Sequence, residues 1–137
     1  MWLRRDGSFW HEGVQVTHPR LARAFRRGVR FAEAERTFVV QVGPFRGWLD
    51  VEDTAFFVDA YDEPTGEIQL SDETREPLDP ATLRSDPDGV LRCTVKSRFP
   101  ARFTREAQAE LFAAIDSEGE QLLLRANNRR VLLSNLS

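Results

Sequence analysis

One pattern is written twice along this chain, and it leaves few folds open. Each copy opens on an Asp-Gly turn pair, Asp6-Gly7 and Asp88-Gly89. A threonine then starts a helix with a phenylalanine eight residues later, Thr17 with Phe25 and Thr104 with Phe112. Each copy closes on a hairpin, Phe38-Val39-Val40 with Trp48-Leu49 and Leu122-Leu123-Leu124 with Leu132-Leu133. The match lies in pattern more than identity. A lone helix and a short sheet each need a surface to bury, and two such units can each supply half of one core. The expectation is an α+β fold of two lobes, each an antiparallel sheet with one packed helix, built on a repeated strand–helix–hairpin motif. Residues 1–80 form the first lobe and residues 81–137 the second, together one compact domain.

Local signals fill in the plan. Asp6-Gly7 and Glu12-Gly13 turn the chain between Trp2–Arg5, Ser8–His11 and Val14–Val16, which reads as a β-meander. Thr17 or His18 caps the first helix, with Pro19 in its first turn. At 100° per residue Leu21, Ala22, Ala24, Phe25 and Val29 share one side, and Arg20, Arg23, Arg26, Arg27 and Arg30 the other. Strands are expected over 37–42, 45–52, 54–61 and 67–70, in sequence and with short connections, hence as an antiparallel meander. Residues 71–89 are acidic and broken by prolines, which predicts a surface linker with one helical turn near Ala81–Leu83. Leu91, Cys93 and Val95 alternate with polar residues as a half-buried strand. Thr104 caps a second helix carrying Ala107, Leu111, Ala114 and Ile115 on one face and stopping at Gly119, and Asn127-Asn128 turns a final hairpin.

Composition excludes several classes. With 41% hydrophobic and 30% charged residues the chain is neither disordered nor fibrous. No apolar run approaches the roughly 18 residues of a membrane span, and Met1–Asp6 lacks the apolar stretch of a signal peptide, so a cytoplasmic protein with no membrane partner is expected. A single cysteine, Cys93, rules out an internal disulfide and a zinc knuckle, and no cofactor is expected. The net charge of −3 hides a split: residues 1–30 carry seven Arg against two acids, residues 31–90 four Arg against fifteen acids, and residues 91–137 eight basic against five acidic side chains.

The chain resembles a bacterial family of uncharacterised proteins, domain-of-unknown-function family 1285. The resemblance is carried by Arg5-Asp6-Gly7-Ser8-Phe9-Trp10-His11 with Gly13, by Leu21 and Phe25, by Trp48-Leu49-Asp50-Val51-Glu52-Asp53-Thr54-Ala55-Phe56, and by Ala101-Arg102-Phe103-Thr104-Arg105. Its most specific piece, Val51–Phe56, looks like the family's Val-Glu-Asp signature followed by a small residue, Pro and Phe, with Ala55 where the family tends to have Pro. The resemblance implies an α+β fold with a repeated motif and a part in signalling or ligand binding, and brings no established reaction.

Two clusters are candidates for a site. The first is a ligand-binding set of Trp10, His11, Trp48, Asp50, Glu52 and Asp53. Clustered carboxylates can hold a divalent cation or divide acid and base roles. They can equally accept turn N–H bonds or pair with Arg102 and Arg105, and the absence of ligands at metal spacing favours that structural use, so no metal is assigned. The second is an anion- or partner-binding set of Arg20, Arg23 and Arg27. The acidic overall balance speaks against nucleic acid, and a solvated face or one paired with acidic strands, in the same chain or a second copy, is favoured. No nucleophile setting, Gly-rich phosphate loop or complete calcium loop is present, so no catalytic residue is assigned. The leading expectation is a non-enzymatic adaptor that binds a protein or small ligand and self-associates through its opposed charges. An enzyme or metal site on Asp50, Glu52 and Asp53 comes second, and polyanion binding by the first helix third.

Overall fold

The structure, a computed structural model, describes residues 1–136. Its residues group into two units, Met1–Ala55 and a second from Phe56 onward.

In the first unit Gly7 and Gly13, at φ of +88° and +81°, let the chain reverse twice. The segments β1 (Trp2–Leu3), β2 (Phe9–His11) and β3 (Val14–Gln15) therefore pair as the antiparallel meander expected. Helix α1 (Pro19–Arg27) starts at His18, whose Nδ1 accepts the Leu21 N–H at 3.4 Å. Its buried residue is Phe25, whose ring lies 5.7 Å from that of Phe9 and 6.2 Å from that of Phe45. The helix ends at Gly28, where the Gly28 carbonyl accepts the Gln41 N–H. Val29 and Arg30, expected on the helix, stand instead on β4 (Val29–Ala32), because that bond draws the chain into a sheet. With β5 (Thr37–Val42) and β6 (Phe45–Trp48), β4 forms a three-stranded antiparallel sheet. The single strand expected over 45–52 divides at the buried Leu49, after which β7 (Asp50–Val51) adds to β1 in parallel.

In the second unit β8 (Phe56–Asp62) and β9 (Glu67–Leu70) form a hairpin. The expected run of four antiparallel neighbours over 37–70 is thus broken, since β6, β7 and β8 belong to three different sheets. The acidic stretch 71–89 is more ordered than a linker. It holds edge strand β10 (Arg75–Pro77), a 3-10 turn (Pro80–Thr82) and edge strand β11 (Arg84–Ser85), pinned by buried Leu78 and Leu83. Strands β12 (Leu91–Val95) and β13 (Phe99–Phe103) complete a six-stranded sheet in the order β10-β9-β8-β13-β12-β11. The lobe boundary expected near residue 80 falls inside this sheet, because β13 pairs in parallel with β8.

Helix α2 (Arg105–Ala113) begins at Thr104, whose hydroxyl accepts the Ala107 N–H at 3.2 Å. It ends at Ala114 rather than running to Gly119, and β14 (Ile115–Glu118), β15 (Gln121–Ala126) and β16 (Arg129–Leu132) follow as an antiparallel sheet. Asn127 and Asn128, at φ of +51° and +60°, make the expected hairpin turn.

The repeat is therefore a helix followed by a three-stranded meander, and its register can be read from hydrogen bonds. Cap positions 18 and 104, buried helix positions 25 and 111, and helix ends 28 and 114 are each 86 apart. The Gln41 N–H bond to Gly28 recurs as Arg125 to Ala114, and the Leu49 bond to Phe38 recurs as Leu133 to Leu122. These strand positions are 84 apart, since the β4–β5 connection is two residues longer than that between β14 and β15. The sequence pairing of Thr17 with Thr104 and Phe25 with Phe112 is one residue out of step. Phe25 corresponds to buried Leu111, while Phe112 is 49% exposed.

Gly28 is required by space and not by backbone angle, for its φ is −91°. A Cβ there would lie 2.2 Å from the Gln41 carbonyl oxygen. Gly28→Ala is expected to lower stability by about 2–3 kcal/mol, as overpacking against backbone does. Urea unfolding checks it, and a loss below about 0.5 kcal/mol would show that β5 can shift aside.

Candidate functional site

Alternation along the short strands of the first unit sorts their side chains onto two faces. Leu3 and Phe9 are buried on one. Trp2, Trp10 and Asp50 lie on the other in a single row, because Trp2 stands opposite Trp10 in β2 and opposite Asp50 in β7. Trp48, the last residue of β6, and Trp2 are exposed, at 58% and 44%.

Arg4 is stacked between the tryptophans. Its guanidinium carbon lies 4.4 Å from the Trp10 ring centroid and 5.1 Å from that of Trp2. Its Nε is buried and has no hydrogen-bond partner. Two ring faces offset that desolvation, at about 0.5–1 kcal/mol each in an exposed setting. The Trp10 indole N–H donates to the Ser8 hydroxyl at 2.9 Å, and that hydroxyl donates to Asp6 at 2.6 Å. The Ser8 hydroxyl and backbone N–H hold the Asp6 carboxyl below its usual range.

The candidate residues thus divide. Trp10 and Asp50 share one face, and Trp48 stands exposed two residues before Asp50, at the end of β6. Glu52 is turned to Arg5, accepting its backbone N–H at 2.8 Å and its Nε at 3.2 Å. Asp53 is partly buried in the bend beyond β7. His11 alternates to the face opposite Trp10 and lies 4.0 Å from the exposed Glu12 carboxylate. Among the described residues no three His, Cys, Asp or Glu side chains come together as a metal site. Arg20, Arg23 and Arg27 are exposed along α1. Cys93 is buried, and burial pushes its thiol up to about 12, so it offers no nucleophile.

Sequence reasoning weighed Trp2 with Trp10 and Trp48 as a pocket lining but left it outside the candidate set, and it missed Arg4. The signal was the Asp6-Gly7 turn itself, since a hairpin centred there sets residue 2 against residue 10. It also missed Arg125, which donates to Asp116, to Glu63 and to the Ala113 carbonyl at 2.6 Å. A hollow of about 470 Å³ beside it is lined by Glu63, Pro64, Asn128, Arg129 and Arg130. With its donors committed, Arg125 ties the β14–β15 sheet to the β8–β9 turn.

The solved structures that this chain is similar to share one description. One, from Silicibacter pomeroyi, is a DUF1285 family protein, 17% identical, with a TM-score of 0.61 over 97% of this chain and 78% of that one. Another, a DUF1285 family protein from Shewanella baltica, is 11% identical, with a TM-score of 0.55 over 76% of this chain and 83% of that one. The fold is that of DUF1285 proteins. No family model and no curated protein matches the chain in sequence. The DUF1285 resemblance read from the sequence therefore finds its support in shape. No helix among the described residues is long and apolar enough to cross a membrane.

On this DUF1285 fold Glu52 works as a clasp. The Glu52 N–H bonds the Leu3 carbonyl, and its carboxylate holds the next residue, Arg5, closing β7 onto β1. The Arg5 backbone N–H, then its guanidinium, lower the Glu52 carboxyl below the ordinary 4.5. A lowered folded-state value adds stability above the ordinary value and loses it as pH falls through the lowered one. Glu52→Gln is expected to lower the urea midpoint near pH 6 and to have less effect as pH falls through the lowered value and the wild-type carboxylate is neutralised. Equal shifts above and below that value would show that the charge has no part in the clasp.

Proposed function

We propose that this chain is a divergent DUF1285 protein acting in the cytoplasm as a non-enzymatic adaptor, with a protein partner seated on Trp2, Arg4, Trp10, Trp48 and Asp50. The carrying observation is the exposure of Trp2 and Trp48, with a guanidinium stacked on Trp2 and Trp10. Large aromatics left in water call for a partner more than scattered small apolar groups do. Tryptophan and arginine are also the residue types that dominate binding energy at protein interfaces, because they bury much area and keep a polar group to orient it. Asp50 beside them supplies a charge to fix register. The carboxylates support no acid–base reading, since Glu52 is spent on Arg5.

The experiment is affinity capture with wild-type protein, Trp48→Ala, Trp2→Ala and a distant exposed control, Glu120→Ala. One protein should be retained by wild type and control and lost at least about thirtyfold with either tryptophan variant, the effect of a hot spot of about 2 kcal/mol. Circular dichroism should show both variants folded. The proposal fails if no captured protein depends on either tryptophan. It fails also if a millimolar divalent cation raises the melting temperature and Glu52→Ala cancels the rise, which would restore a metal-dependent site.

A further inference from the structure

The duplicated unit acts as a control on itself. Helices α1 and α2 have the same length of nine residues, the same kind of side-chain cap and the same hydrogen bond from the central strand to the helix end. In α1 the positions 20, 23, 26 and 27 are all arginine. The matching positions of α2 are Glu106, Ala109, Phe112 and Ala113. The fold therefore does not call for guanidinium groups there. A bias toward arginine over lysine explains the residue type and not the clustering.

Charge along α1 is of one sign. Residues 13–32 hold five arginines and no acid. Arg20, Arg23 and Arg27 are exposed within an arc of about 60° at 100° per residue, and they span about 10 Å of helix axis at 1.5 Å per residue. That span matches about three phosphate steps along a nucleic-acid strand. The arc lies opposite Phe25 and carries no apolar side chain, so it offers a bilayer nothing to insert. A second copy of the chain offers acids of which several are already engaged. In the second unit Glu63, Glu67, Asp72, Asp86, Asp116 and Glu118 already face its own arginines or Lys96.

We infer that the outer face of α1 binds the phosphate backbone of nucleic acid, with Arg20, Arg23 and Arg27 as the contacting residues. Guanidinium forks pair with phosphate oxygens two at a time, and each contact releases condensed counterions. Contacts to phosphate carry no base information, so with these guanidinium groups on the backbone and not in a groove duplexes of different sequence bind alike.

The test is fluorescence anisotropy with a labelled duplex of about 20 base pairs, in AT-rich and GC-rich versions, over about 25–200 mM KCl. Three phosphate contacts predict micromolar binding at low salt and a log–log salt slope of about −3. Both duplexes should bind equally. Arg20→Gln, Arg23→Gln and Arg27→Gln together should weaken binding at least tenfold and bring the slope near zero. Should the triple variant misfold, each single variant is expected to reduce the slope by about 0.9. Absence of binding at about 25 mM KCl overturns the inference, as does a salt-independent affinity or an unchanged triple variant. So does sedimentation with phosphatidylglycerol vesicles without duplex binding, or a dimer that the substitutions dissolve without duplex binding.

Discussion

In both units one hydrogen bond holds the end of a short helix to the middle strand of the sheet that follows it. Gln41 donates to the Gly28 carbonyl, and Arg125 donates to the Ala114 carbonyl. Each bond contributes only about 1 kcal/mol net, yet its consequence for register is larger. A nine-residue helix is marginal in water and gains its stability by burying one stripe, so it needs a sheet already facing it. A slip of one residue in β15 would turn the fully buried Leu124 to the half-exposed face of Leu123 and Arg125. The second bond, from Leu49 to Phe38 and from Leu133 to Leu122, closes the far strand in the same register. Close approach at the first helix end leaves no room for a Cβ at Gly28, while Ala114 shows that the second unit meets the same need with slightly different spacing.

Much of this was legible in the residues. Asp6-Gly7, Pro19, Thr104 and Asn127-Asn128 each carry local turn or cap chemistry, and each sits where its chemistry predicts. The strands β4 and β14 were not legible, for one shared reason. Val29 and Ile115 fall on the apolar stripe of the preceding helix, so periodicity alone carries the helix through them. What ends each helix is a tertiary bond from a strand about a dozen residues further on, which no local pattern contains. The parallel pairing of β8 with β13 was hidden likewise, since it joins segments more than forty residues apart. Of the candidate face, Trp10, Trp48 and Asp50 were visible as residue types, whereas Arg4 depended on pairing across a hairpin. Glu52 drew notice for its charge, and its use is structural.

The charge split acquires a different meaning once the units are known. Met1–Ala55 carry nine arginines against seven acids, net +2, and residues 56–137 carry ten basic against fifteen acidic side chains, net −5. Part of the acidity in the second unit is spent at home. Asp72 illustrates it: burial would raise its carboxyl, but hydrogen bonds from Thr74 and Lys96 outweigh burial and bring it below the usual range. An acid held this way stabilises its own loops at neutral pH and is a poor partner for a distant arginine.

The repeat also separates what topology imposes from what the side chains add. Trp48 and Leu132 are equivalent positions, and both stand more than half exposed, so the outward direction belongs to the fold. Around them the two sheets differ. Beside Leu132, in the row through Leu123, stands Asp116, which binds Arg125 and Arg130 and satisfies that face with its own ion pairs. The equivalent of Asp116 is Arg30, whose guanidinium is drawn to the Arg27 and Val29 carbonyls at the end of α1. Arg30 is thus turned toward the helix end, and the larger indole of Trp48 stands exposed. One scaffold thus carries a self-neutralised face in its second unit and an aromatic one in its first, and only the aromatic face gains by the removal of water that a partner would bring.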